Sequence, residues 1–154
     1  MHSETQPDTA TAYRIETTTS ISEDRLCALY NAVGWTAYTR DPKRLTAAID
    51  GSSFVVTAVA DDQLIGLARA VSDDASIAYV QDILVHPSRQ GQGIGHALVQ
   101  AILDRYTHVR QKILLTDDRP EQLRFYASLG FANTRELVKT PLNAFVIIEG
   151  VELS

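Results

Sequence analysis

Gln81-Asp82-Ile83-Leu84-Val85-His86-Pro87-Ser88-Arg89-Gln90-Gly91-Gln92-Gly93-Ile94-Gly95-His96-Ala97-Leu98 is the stretch that decides the fold. Its first residues close an apolar run, Ile77 to Val85, that reads as a strand. Its last residues open a helix to about Tyr106, because His96, Gln100 and Asp104 recur at helical spacing while Ala97, Leu98, Ala101 and Ile102 form the opposite, apolar face. Between them, Gly91, Gly93 and Gly95 let the backbone adopt positive φ and approach a ligand closely. Successive N–H groups then converge on one concavity, and the helix start adds unpaired donors and a partial positive charge. Such a strand–loop–helix unit suits a phosphate or pyrophosphate, and Arg89 adds a full charge. A P-loop would require Lys followed by Ser or Thr, which is missing here. A dinucleotide fingerprint would have a longer gap between its second and third glycines, early in a βαβ unit rather than after a meander.

Upstream, Tyr13 to Thr19 alternates as a strand, and Ser20 to Glu23 has capping-box spacing before a helix with Leu26, Leu29, Tyr30 and Val33 on one face. Gly34 ends that helix, and Trp35 to Arg40 reads as an aromatic and polar loop. Asp41 and Pro42 start a second helix as N-cap and first-turn residue. Phe54–Ala60, Leu64–Val71 and Ile77–Val85 form an antiparallel meander. Downstream, Lys112–Thr116 is a short strand, Glu121–Leu129 a helix closed by Gly130, and Phe131–Val138 and Ala144–Glu149 two final strands. The expected fold is therefore α+β, with a mixed, mostly antiparallel sheet of about six to seven strands and helices on both faces. Residues 1–11 read as a disordered leader, and 12–154 as a single domain.

The formal net charge of −5, with no basic cluster, argues against nucleic acid as a partner. An acidic surface suits a cationic substrate, and equally serves solubility. No segment is a signal peptide or approaches the length of a membrane span. Cys27 is the only cysteine, which fits a cytoplasmic location and leaves no cysteine-based metal site within one chain. No metal is expected, since His96 and His108 fit no ligand spacing.

The loop and a second segment together resemble the GNAT N-acetyltransferase superfamily. Its signature Gln/Arg-x-x-Gly-x-Gly/Ala is met by Gln90, Gly93 and Gly95, and its aromatic-Tyr-x-x-x-Gly-Phe mark by Phe125 to Phe131. The likeness extends over roughly 13–149, and the segments Asn31–Trp35 and Gly66–Ala70 are similar to a branch that includes plastid-type enzymes acting on arylalkylamines or protein amino groups. The resemblance implies an acetyl-CoA-dependent N-acetyltransferase domain with a splayed central strand. Ile83, Leu84 and Val85 would lie on that strand and pair with the pantetheine arm, while Arg89 and the run Gly91, Gln92, Gly93, Ile94, Gly95 and His96 would hold the pyrophosphate. Where many members carry an Asn that touches the cofactor, this chain has Arg119, placed instead to meet a CoA phosphate.

Acetyl transfer to an amine needs a neutral amine, close positioning, a donor for the developing oxyanion and a proton for the leaving thiolate. The resemblance makes Tyr126 the acid and also a cofactor contact, and the N–H of Leu84 the oxyanion donor. Asp82, a carboxylate within a strand, is the candidate base or water-orienting group, with pairing to Arg69 as the alternative. Trp35, Tyr38 and Asp82 fall where the acceptor wall would be. The acceptor is a small-molecule or peptide amine. The other readings are a CoA-binding sensor without turnover and O-acyl transfer. The apolar edge of Ala144–Glu149 is open to pairing in a homodimer.

Overall fold

The computed structural model describes residues 12–18 and 20–154, in two compact units divided after Leu115. The leader expected over 1–11 lies outside the described residues. The first unit carries a sheet of β1 (Arg14–Thr17), β2 (Phe54–Ala60), β3 (Gln63–Ser72), β4 (Ile77–Val85) and β5 (Gln111–Leu114), in that spatial order. Neighbours are antiparallel except β4 and β5, which run parallel. The mixed, mostly antiparallel sheet is as expected.

Local chemistry sets these elements. Asp61 and Asp62 both take positive φ between β2 and β3, as a two-residue hairpin turn requires. The Asp73 carboxylate accepts the N–H groups of Ala75, Ser76 and Ile77, which fixes the turn into β4. Helix α1 (Glu23–Ala32) is capped by Ser22, whose hydroxyl accepts from the Arg25 N–H, so the cap lies two residues beyond the expected Ser20. Trp35 to Arg40, expected as a loop, contains the one-turn helix α2 (Thr36–Thr39). Helix α3 (Pro42–Asp50) begins with the expected Asp41 cap and Pro42. Helix α4 (Ile94–Arg105) follows the glycine loop.

Helices lie on both faces of the sheet. Leu26, Leu29 and Tyr30 of α1 and Leu45 and Ile49 of α3 bury against Val55, Val59, Leu67 and Leu84. On the other face Ile94, Leu98 and Ile102 of α4 pack on a floor of small residues, Ala58, Ala68, Ala70 and Ala78. The small floor lets α4 sit close to the strands, and the packing fixes where its N-terminus points.

The second unit contains α5 (Pro120–Ser128) and a 3₁₀ turn at Thr134–Glu136. Phe131–Val138 and Ala144–Glu149 are not strands, and the sheet has five strands rather than six to seven. Both segments carry the residue types of a strand, but a strand exists only through a ladder, and neither has a ladder partner among the described residues.

Candidate active site

The cofactor side is built on the end of β4. β5 pairs with Ile77 to Val80 only, so from Gln81 onward that edge of β4 has no ladder among the described residues. The His86 N–H donates to the Ile65 carbonyl at 2.7 Å, and Leu84 and Leu67 are partners in the same register. Antiparallel alternation therefore turns the N–H of Leu84 toward β3 and that of Val85 toward the open edge. The Val85 carbonyl accepts from Gln90 Nε2 at 3.3 Å, in keeping with that orientation. Leu84, expected as the oxyanion donor, thus has its N–H in the sheet, and its side chain is buried toward α1 and α3.

A 3₁₀ turn over Pro87–Arg89 leads into the loop, with Arg89 Nε donating to Gln92 Oε1 at 3.0 Å. Gly91 and Gly93 have φ of 77° and 81°, the left-handed region that the glycine spacing called for. Gly93 is the N-cap of α4 and supplies no side chain to it. The first N–H groups of α4 are thus left without a capping side chain, beside Gly95 and His96 in the first turn. An uncapped helix start behind a left-handed turn fits a pyrophosphate, and the open edge of β4 fits an extended, amide-bearing arm.

A second cluster, where the acceptor wall is expected, centres on Asp82. Gln81 pairs with Arg69 and Leu84 with Leu67, so Asp82 and Ile83 together face the single residue Ala68 in a β-bulge. Asp82 takes the extra turn with φ of 55°, a value Asp tolerates better than most residues. The bulge breaks the expected alternation and brings Gln81 and Asp82 together, with Gln81 Nε2 donating to Asp82 Oδ1 at 3.1 Å. The carboxylate also accepts Tyr38 Oη at 2.8 Å, Tyr30 Oη at 3.0 Å and Arg69 Nε at 2.9 Å. Its side chain is only 2% exposed and that of Arg69 11%. The pairing with Arg69 is the one foreseen as the alternative to a base. Burial is the main cause pushing the Tyr30 and Tyr38 phenols above the usual range, and the negative charge of Asp82 adds to it.

Trp35 stacks on Tyr38 with ring centroids 6.0 Å apart, and Tyr30 meets both rings, at 5.9 and 5.2 Å. Trp35, Tyr38 and Asp82 thus form one cluster. Tyr30 and Gln81 belong to it and were not singled out from the sequence. A hydroxyl on the apolar face of α1 was the available signal, since a buried phenol needs a partner.

Tyr126 and Arg119 belong to the second unit. Tyr126 meets Phe125 and Phe131 edge-on, and its phenol is pushed up to about 12 by burial, with the charge of Asp117 adding to the effect. Arg119 opens α5 and holds Asp117 at 2.8 Å, so the guanidinium expected to meet a phosphate already faces a carboxylate. Among the described residues no group of His, Cys, Asp and Glu is gathered to hold a metal, and no helix is long and apolar enough to cross a membrane.

Known proteins share this architecture. The uncharacterized N-acetyltransferase ycf52 of Gracilaria tenuistipitata var. liui is 37% identical over 123 residues, covering 75% of this chain, which spans 63% of that relative's length. The structure of the GNAT-family acetyltransferase SP0256 from Streptococcus pneumoniae is similar with a TM-score of 0.74 and 29% identity, covering 90% of this chain and 99% of the other. At 17% identity and a TM-score of 0.61, AAC(6')-Iy in complex with the bisubstrate analog CoA-S-monomethyl-acetylneamine shares the fold, over 87% of this chain and 100% of its own. The family model for the acetyltransferase (GNAT) domain matches residues 12–140, through the glycine loop and the Tyr126 segment alike, and the chain belongs to that family.

Proposed function

We propose that the protein is an acetyl-CoA-dependent N-acetyltransferase that moves acetyl directly to a primary amine of a small molecule or peptide, with 12–154 working as one domain. The observation that carries this reading is the left-handed turn at Gly91 and Gly93, set before an uncapped α4 and beside the open edge of β4. Bound there, the cofactor supplies an activated acetyl thioester. Ile83 and Val85 align its arm along the open edge, and their amides, flanking Leu84, provide the donor for the acyl oxygen. Arg89, Gln90, Gly91, Gln92, Gly93, Ile94, Gly95 and His96 seat the pyrophosphate. Arg119 of the second unit is a candidate phosphate contact, which it would make by giving up Asp117. Trp35 and Tyr38 form the acceptor wall, and Tyr126 Oη gives a proton to the departing sulfur. Asp82 has its lone pairs filled, so the amine loses its proton to water.

The direct route forms no acyl-enzyme, and a stable label on the protein after incubation with radiolabelled acetyl-CoA would refute it. Free-CoA release across polyamines, arylalkylamines, aminoglycosides, amino acids and peptide N-termini identifies the acceptor. Release with hydroxyl acceptors alone would make it an O-acyltransferase, and cofactor binding with no release from any acceptor would make it a sensor. We place the activity in the cytoplasm, where the lone thiol of Cys27 stays reduced. We also propose a homodimer paired through Ala144–Glu149, where Phe145 and Ile147 are 94% and 89% exposed.

A further inference from the structure

We propose that Asp82 is a positioning residue: its carboxylate anchors Tyr38, and through it Trp35, and so fixes the shape of the acceptor wall. The inference rests on the acceptor side assigned above.

Helix α2 is four residues long, has no side-chain cap and buries none of its residues. One turn of helix is not stable by itself, so its placement comes from its attachments. These are the Trp35 N–H to the Tyr30 carbonyl at 2.9 Å, Thr39 Oγ1 to Asn31 Oδ1 at 2.6 Å, the ring contacts of Trp35 and Tyr38, and Tyr38 Oη to Asp82. Of these, only the Tyr38 hydroxyl reaches the strand that carries the cofactor edge, donating to Asp82 Oδ1 and accepting from Gln81 Nε2 at 3.4 Å.

A carboxylate offers about four lone-pair sites. Tyr38 and Gln81 take Oδ1, while Tyr30 and Arg69 take Oδ2. Arg69 supplies the countercharge and is itself held by Ser52 Oγ at 3.3 Å. A saturated, ion-paired carboxylate is poorly suited to receiving a proton from an amine. It is well suited to holding two phenols at fixed points, because charge-assisted hydrogen bonds are short and directional. The bulge is what makes this possible, since it turns Asp82 to the same side as Gln81.

Trp35 is the only tryptophan, so its fluorescence reports the wall directly and without turnover. Asp82→Asn replaces an acceptor oxygen by a donor, and Tyr38→Phe removes the anchored hydroxyl. Each is expected to raise acrylamide quenching of Trp35 and to raise the acceptor KM about tenfold, with the donor KM unchanged. The double variant should be no worse than the worse single, because both cut one connection. If Asp82→Asn fails to fold with Arg69 unpaired, Tyr38→Phe leaves that ion pair whole and must still raise the quenching. Wild-type quenching in Tyr38→Phe overturns the proposal. So does a collapse of kcat in Asp82→Asn, with the acid limb of the pH profile lost and Trp35 quenching unchanged, since that is the behaviour of a base. A wild type that binds acetyl-CoA yet turns over no amine defeats the enzymatic reading alone, and the quenching result still decides this one.

Discussion

Gly66 of β3 lies under Leu98 of α4 so closely that a Cβ on the glycine would stand 3.1 Å from Leu98 Cδ1. Ile94 Cγ2 and the Ala58 Cβ would be 3.2 and 3.3 Å away, and Gly66 also pairs in register with Val85. The residue thus sits beneath both the end of the cofactor strand and the first turns of the helix behind the loop. Gly66→Val forces α4 off the sheet. We expect a loss of about 1–3 kcal/mol in urea unfolding, the range for overpacking a tight core. Because the displacement falls at the start of α4, the donor KM should rise while the acceptor KM stays near wild type. Equal changes in both would show that α4 does not set the cofactor site.

The glycines of the loop act differently. Nothing lies within 4 Å of a Cβ built on Gly91 or Gly93, so space is not the constraint. Their positive φ is, and an L-residue there loses about 1–2 kcal/mol. Gly93→Ala should weaken acetyl-CoA binding about tenfold by calorimetry, with the loop shifting toward negative φ. Unchanged affinity would mean that the left-handed turn is not what receives the phosphates.

Much of this was legible in the sequence, for identifiable reasons. Asp41-Pro42, the glycine loop and the apolar faces of α1 and α4 are local signals, and local rules read them. The bulge at Asp82 was not readable, because an extra residue in one strand is defined only against its partner, here Ala68. Gln81 therefore joins the Asp82 cluster without a signal in the sequence that would have singled it out. Ala144–Glu149 shows the same limit from the other side. Its composition is that of a strand, but a ladder must be supplied by another segment.

That segment yields a prediction of its own. Phe145 and Ile147 alternate with the less exposed Val146 and Ile148, so one edge of an extended run presents large apolar groups to solvent. Single exposed apolar residues are ordinary, whereas a row of them calls for a cover. Phe145→Lys with Ile147→Lys should convert a dimer to a monomer in light scattering at micromolar concentration. A wild type that is already monomeric there would remove the pairing.

The ion pair between Arg69 and Asp82 is nearly dry, and removing one partner strands the other. Arg69→Met should lower stability by about 3–5 kcal/mol, the usual loss when a buried charge is left uncompensated. Adding Asp82→Asn removes the stranded charge and should restore part of that loss, a coupling that a double-mutant cycle in urea measures directly. Strict additivity would mean that solvent reaches the carboxylate once Arg69 is gone.

With the proton-donor role proposed for it, Tyr126 would tie stability and catalysis to the same titration. Burial raises its phenol to about 12, above the ordinary value near 10. A raised value in the folded state means that its contribution to stability is complete below about pH 10 and is lost as pH climbs toward 12, because the unfolded chain ionises first. Tyr126→Phe lacks that group, so its urea midpoint should fall less steeply over the same interval. In turnover the phenol stays protonated while the acceptor amine, with a reference value of about 10.4 for a lysine-like group, becomes neutral. The rate should therefore rise with pH toward about 10 with no decline owed to Tyr126, and Tyr126→Phe should lower kcat about a hundredfold at every pH, with cofactor affinity kept. If the variant instead keeps kcat and weakens cofactor binding, the tyrosine packs against the donor and the departing sulfur takes its proton from water.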